Sequence, residues 1–162
     1  MGKSGVLVTG FGGPDSLDAV APFMCNLMGR EPSDELVSSV CRRYLAIGGS
    51  SPLPEIAAAF ASKLGEHLSS SGDVVPTAVG MQYWEPYIPG ALTWLKSQGV
   101  ERVVTVSLSA FESKVAHGAS RKAVEDAAAE IGGLEIVEAP LISSLDGFAS
   151  YFATSAATAI SE

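Results

Sequence analysis

Gly5-Val6-Leu7-Val8-Thr9-Gly10 decides how this chain folds. It is a short, continuous apolar run ending in glycine, with no polar alternation, as expected of a strand buried on both faces. Such a strand needs helices above and below it, and helix-like segments follow. Residues 16–28 read as a helix that Ser16 can cap, with Pro22 bending or shortening it. Ser33 caps a second helix in which Leu36, Val37, Val40, Cys41 and Tyr44 recur at helical spacing. Pro54 suits the first turn of a third, where Ile56, Phe60, Leu64 and Leu68 follow at four-residue steps on one face of an amphipathic helix.

The alternation continues to the end of the sequence. Gly72 ends the third helix, and residues 74–79 read as a second strand. Pro76 within it predicts an edge position or a late start. A helix over 88–98, closed by Gly99, precedes a strand at 102–108 with Val103, Val104 and Val106 as its β-branched core. A helix over 119–131, closed by Gly132-Gly133, precedes a strand at 134–139. Asp146 then caps a final helix carrying Phe148, Phe152, Ala156 and Ile160. These elements predict one α/β domain over residues 1–162, a four-stranded parallel sheet with helices on both faces.

Composition narrows the partners. With 162 residues and 47% hydrophobic content there is enough apolar material for a substantial core. A formal net charge of −8 opposes nucleic-acid binding, which wants clustered lysine and arginine. No window has the apolar length of a membrane span, and the amino terminus lacks a signal-peptide pattern, so a cytoplasmic protein is expected. Cys25 and Cys41 show no CxxC spacing and read as small buried hydrophobes.

In an open parallel sheet, ligands bind outside the carboxyl ends of the strands. Three loops fall there: Gly10-Phe11-Gly12-Gly13-Pro14, Gly80-Met81-Gln82-Tyr83-Trp84-Glu85-Pro86, and residues 109–120. The first allows close backbone approach, yet it fits neither GxGxxG nor GxxxxGK[ST]. In the second, Tyr83 and Trp84 are expected to present an aromatic surface, while Met81 and Tyr87 suit groove filling equally well. In the third, His117 can be a general base or metal ligand, but solvation is the favoured reading. His67 is read as a surface residue. A further loop, Gly48-Gly49-Ser50-Ser51-Pro52, either turns the chain or offers N–H and hydroxyl groups to a ligand. Arg42-Arg43-Tyr44 just before it suits a flat, anionic one.

Three segments in order, 5–16, 43–53 and 79–88, resemble the amino-terminal half of a ferrochelatase. Phe111-Glu112-Ser113 and the helix start at Asp146-Gly147-Phe148 are also similar to family segments, so the resemblance covers nearly the whole chain. It implies a flavodoxin-like chelatase domain of the ATP-independent class, which inserts Fe²⁺ into a porphyrin, protoporphyrin or coproporphyrin, during haem synthesis. Iron is then a substrate, and no permanently bound cofactor is expected. The implied partners are the porphyrin and either a second chelatase domain, absent from this sequence, or a second copy in a homodimer. A non-catalytic tetrapyrrole-binding or interaction module is the alternative.

Residue by residue, the resemblance places Arg43, Tyr44 and Ser51 at the porphyrin site. Phe11 falls where some bacterial members have a metal-ligating tyrosine; its ring can stack on a porphyrin but cannot ligate. Ser120 falls where those members have another site tyrosine, leaving a hydroxyl without the ring. Met28 falls near a family arginine, with Arg30 close by. The family's catalytic histidine and its acidic residue for metal delivery belong to the second half, so no catalytic or metal-ligating residue is assigned here.

Overall fold

The computed structural model describes residues 2–69, 72 and 74–161. Strand β1 (Lys3–Gly10) is followed by three helices: α1 (Val20–Met28), α2 (Asp34–Leu45) and α3 (Leu53–Leu68). Then come β2 (Thr77–Met81), α4 (Ile88–Ser97), β3 (Val100–Ser107), α5 (His117–Ile131) and β4 (Glu135–Glu138). A 3-10 turn at Ile142–Ser144 leads into α6 (Asp146–Ser161). The strands form one sheet in the order β2-β1-β3-β4, every pair parallel. The expected α/β architecture is present, with β1 inside the sheet and β2 at an edge.

Strand β1 is inside because its side chains are apolar on both faces. Leu7 points to one face and packs with Ile88, Leu92 and Leu95 of α4, Val103 of β3 and Val124 of α5. Val6 and Val8 point to the other and pack with Ala61, Phe60 and Leu64 of α3. Full burial of a leucine such as Leu7, Leu92 or Leu95 is worth about 1.5–3 kcal/mol, so the first layer dominates the core. Pro76 is the last residue before β2; its carbonyl accepts from the Val6 N–H at 2.8 Å. The late start and the edge position both occur, since proline cannot donate to a ladder.

Four details differ from expectation. Helix α1 begins at Val20, because the Ser16 hydroxyl instead accepts from the Ala19 N–H at 3.3 Å and holds a turn. That leaves Pro22 in the first turn, where its missing N–H costs nothing. Helix α3 buries Ala57 and Ala61 alongside half-buried Phe60 and Leu64, whereas Ile56 and Leu68 are exposed. Small residues let α3 approach the sheet closely: a Cβ on Gly65 would lie 3.0 Å from the Thr77 hydroxyl. Helix α5 starts at His117, two residues early. Cys25 and Cys41 are free but only half-buried.

Helix α2 is capped as read, the Ser33 hydroxyl accepting from the Leu36 N–H at 3.4 Å. With α1 it forms a satellite cluster of Val20, Phe23, Met24, Val37, Val40 and Tyr44 beyond the carboxyl end of β1. Helix α6 is attached differently. It has no buried residue, and an edge-to-face contact between Phe148 and Phe111 holds its first turn to the body.

Candidate ligand-binding site

The hydrogen bonding of β1 and β2 does not stop where the strands do. Gln82 N–H donates to the Gly10 carbonyl and Tyr83 N–H to the Phe11 carbonyl, both at 3.0 Å. The first two motif loops are thereby zipped together past the sheet's carboxyl edge. Met81 N–H donates to the Pro86 carbonyl at 2.7 Å and turns the second loop back toward α4. Asn26 of α1 donates to the Tyr83 carbonyl at 3.2 Å and to the Tyr87 hydroxyl at 2.9 Å, so the satellite helices are tied to the same loop.

Glycine is required here for close approach. Gly12 has φ +90°, and a Cβ on it would lie 2.9 Å from the Trp84 backbone nitrogen. Gly13 abuts Ser51, where a Cβ would overlap the serine side chain. Ser51 N–H donates to the Pro14 carbonyl at 2.7 Å, and the Ser51 hydroxyl accepts from Leu53 N–H at 3.3 Å at the start of α3. The Gly48–Ser51 loop, the Gly10–Pro14 loop and the Met81–Trp84 loop therefore meet at one place. The sequence puts these segments far apart; the parallel topology brings them together.

The Gly48-Gly49 loop does not serve as a ready anion cradle. Ile47 and Gly49 N–H groups both donate to the Tyr44 carbonyl, at 3.0 and 2.8 Å, and Gly48 N–H to the Leu45 carbonyl at 3.2 Å. Those donors terminate α2, so the loop contributes shape, and its open polar groups are side chains. Arg43, Tyr44, Val40 and Ile47 line a cavity of about 410 Å³. Arg43 is exposed, while Tyr44 packs onto the α1–α2 cluster, and that burial raises its phenol above the usual 10.0. A cation beside an aromatic floor suits a flat ligand bearing carboxylates.

Phe11 is half-buried with its ring edge-on to Tyr83 (centroids 4.7 Å apart) and to Phe23 (6.4 Å). Trp84 continues the aromatic group through Phe23 at 6.3 Å. Ser120 is 5% exposed, and its hydroxyl donates to the Gln82 side-chain carbonyl at 3.2 Å. Four of the five sequence-assigned residues, Phe11, Arg43, Tyr44 and Ser51, thus fall on the loops and the α1–α2 cluster at this end of the sheet. Ser120 stands behind them. The side chains of Gln82 and Asn26 also take part, which the sequence does not signal, since nothing in a single polar residue shows what it will bond.

His117 is not solvated, contrary to its sequence reading. It is 3% exposed, with Nε2 2.5 Å from Glu138 Oε1 and Nδ1 3.1 Å from Glu112 Oε2. Nδ1 lies off the hydrogen-bonding direction to Glu112, so the Glu138 contact is the directional one. Arg121 Nη1 is 3.8 Å from the other Glu138 oxygen. Glu138 takes Nε2, and Nδ1 is buried beside Glu112, so the imidazole presents no open edge to a substrate. His67 ends up exposed near the carboxyl end of α3, at the amino-terminal end of the sheet. Among the described residues, no group of three or more His, Cys, Asp or Glu can hold a metal ion. No described helix is long and apolar enough to cross a membrane. A larger cavity of about 620 Å³ lies between α3 and the β2 edge, with Ala58, Ala61, Val75 and Trp94 and the polar Ser62, Glu66 and Thr77 in its lining.

Comparison with known proteins gives a consistent family match. The ferrochelatase family model matches residues 3–161. The chain is 32% identical over 161 residues to a ferrochelatase of Gloeothece citriformis, covering 89% of this chain and 42% of that protein. It is 36% identical over 155 residues to a ferrochelatase of a Synechococcus species (85% and 45%). It is 36% identical over 107 residues to a coproporphyrin III ferrochelatase of a Mycobacterium species (65% and 31%). The matched region therefore amounts to less than half the length of each of these relatives.

Proposed function

This chain belongs to the ferrochelatase family, and from that premise we propose that it forms one wall of a porphyrin cleft for metal insertion. The full reaction is the ATP-independent insertion of Fe²⁺, as substrate, into protoporphyrin or coproporphyrin for haem synthesis, in the cytoplasm. The observation that supports this most is the convergence of three loops, Gly10–Pro14, Gly48–Ser51 and Met81–Trp84, beyond the ends of β1 and β2. They carry the rings of Phe11, Tyr83 and Trp84, which pack on one cluster with Tyr44 of α2, and the Ser51 side chain against Gly13, while Arg43 lines a cavity together with Tyr44.

Insertion requires a macrocycle held in a strained shape, an acceptor for two pyrrole N–H protons and a path for desolvated iron. The described residues supply the first of these. Backbone-locked loops can grip a ring without yielding, and Arg43 can hold a carboxylate while the ring lies on Phe11. The proton acceptor is assigned to a second chelatase domain facing this wall, because His117 is enclosed and His67 lies at the far end of the sheet, and a second copy of this chain would bring the same two histidines.

Titration of the purified chain with coproporphyrin and protoporphyrin, followed by the Soret band, tests the reading. Saturable binding that weakens in Arg43→Ala is the expected result, and a Soret band that never shifts would sink it. Zn²⁺ or Fe²⁺ insertion assayed on the same samples separates a binding wall from a self-sufficient enzyme.

A further inference from the structure

We propose that Ser120 and Gln82 form a relay that fixes the Tyr83 hydroxyl as a hydrogen-bond donor for an anionic oxygen of the bound ligand. This rests on the porphyrin reading, in which that oxygen is a carboxylate. Ser120 is buried, so it reaches the site only through what it touches. Helix α5 holds it rigidly, with Ser120 N–H donating to the Ala116 carbonyl at 3.0 Å. Its hydroxyl donates to Gln82 Oε1 at 3.2 Å. The Gln82 backbone is pinned to Gly10, so this side chain is tethered at both ends.

The amide's orientation then sets the next link. With Oε1 turned to Ser120, Gln82 Nε2 faces the Tyr83 hydroxyl at 2.9 Å. A carboxamide nitrogen only donates, so the Tyr83 oxygen accepts, and its own proton is left for another acceptor. Accepting one hydrogen bond also polarises a hydroxyl as a donor. The phenol ring is fixed as well: it stands edge-on to Phe11, its N–H is bonded to the Phe11 carbonyl, and its carbonyl accepts from Asn26. Tyr83 would touch ligand. Gln82 and Ser120 are positioning residues, a role that gives the buried Ser120 hydroxyl a reason to exist.

Two measurements on the full chain test this. In a coproporphyrin titration, Tyr83→Phe and Ser120→Ala should each weaken binding about 3- to 10-fold, the range of one hydrogen bond. The double variant should bind no more weakly than Tyr83→Phe alone, since Ser120 acts only through Tyr83. Additive losses would overturn the relay, as would full affinity in Tyr83→Phe. In ligand-free protein, the Gln82 side-chain amide NMR signals should shift in both single variants. Unmoved signals overturn the relay whatever the titration shows. Moving signals in a wild-type chain that binds no porphyrin uphold the relay and overturn the porphyrin reading.

Discussion

Gly13 lies against Ser51 so closely that a Cβ on the glycine would overlap the serine hydroxyl. Residues 38 positions apart are thereby in van der Waals contact across two loops, and the contact tolerates no added atom. Gly13→Ala should cost about 1–3 kcal/mol of stability, the usual range for overpacking, and should weaken porphyrin binding together with it. Gly90 in the first turn of α4 has nothing within 4 Å of an added Cβ, so Gly90→Ala should gain up to about 1 kcal/mol from helix propensity. Urea melts of the two variants give the comparison, and equal effects would refute the steric account.

Arg43 is exposed, and no ion pair is formed with it among the described residues. Arg43→Ala should leave the melting temperature unchanged and weaken coproporphyrin binding about 3- to 10-fold, as expected of an exposed charge–charge contact. The loss should shrink with added salt. A salt-independent loss would point to packing by the arginine stem instead.

Tyr44 gives a pH signature. Burial raises its phenol above 10.0 in the folded state, so the unfolded chain releases this proton more readily. The contribution is complete below pH 10 and is lost as pH rises through the folded value, which places the effect in the alkaline limb. Thermal melts of the wild type should fall more steeply above pH 10 than those of Tyr44→Phe. Identical alkaline limbs would remove the assignment.

His117 is expected to be a structural residue. His117→Ala leaves Glu112 and Glu138 without their shared partner and opens a buried site, so it should cost about 1–3 kcal/mol. Porphyrin binding at temperatures well below the melt should persist. Loss of metal insertion without loss of stability would instead place His117 in the chemistry.

Helix α6 should open before the rest of the molecule. It has no buried residue, and an isolated helix of 16 residues is marginal in water. Its amides from Ala153 onward should exchange fastest, while the turn anchored by Phe148 on Phe111 is slower. Hydrogen exchange resolves the gradient, and α6 protection equal to that of α4 would contradict it.

The architecture was legible because its signals are local. An apolar run on both faces of β1, Pro76 before β2, Ser33 at the head of α2 and Gly99 after α4 each act within a few residues. The site was legible only in outline. Arg43 and Tyr44 draw attention as a cation and a phenol beside a glycine-rich loop, and Ser51 through the family resemblance, but whether the Gly48 and Gly49 amides are open depends on where α2 ends. Burial of His117 was hidden because its enclosure comes from Glu138, 21 residues away on β4. Ser120 and Gln82 are 38 residues apart and meet only through the parallel crossover.

The zip of main-chain bonds from Gly10 and Phe11 to Gln82 and Tyr83 has a consequence for how such a site can change over generations. Peptide groups set the mouth's outline, and every residue type except proline carries the same donor. A side chain there can be exchanged without redrawing the outline, provided the glycines stay small. The side chain of Phe11 can be exchanged in this way while the frame persists.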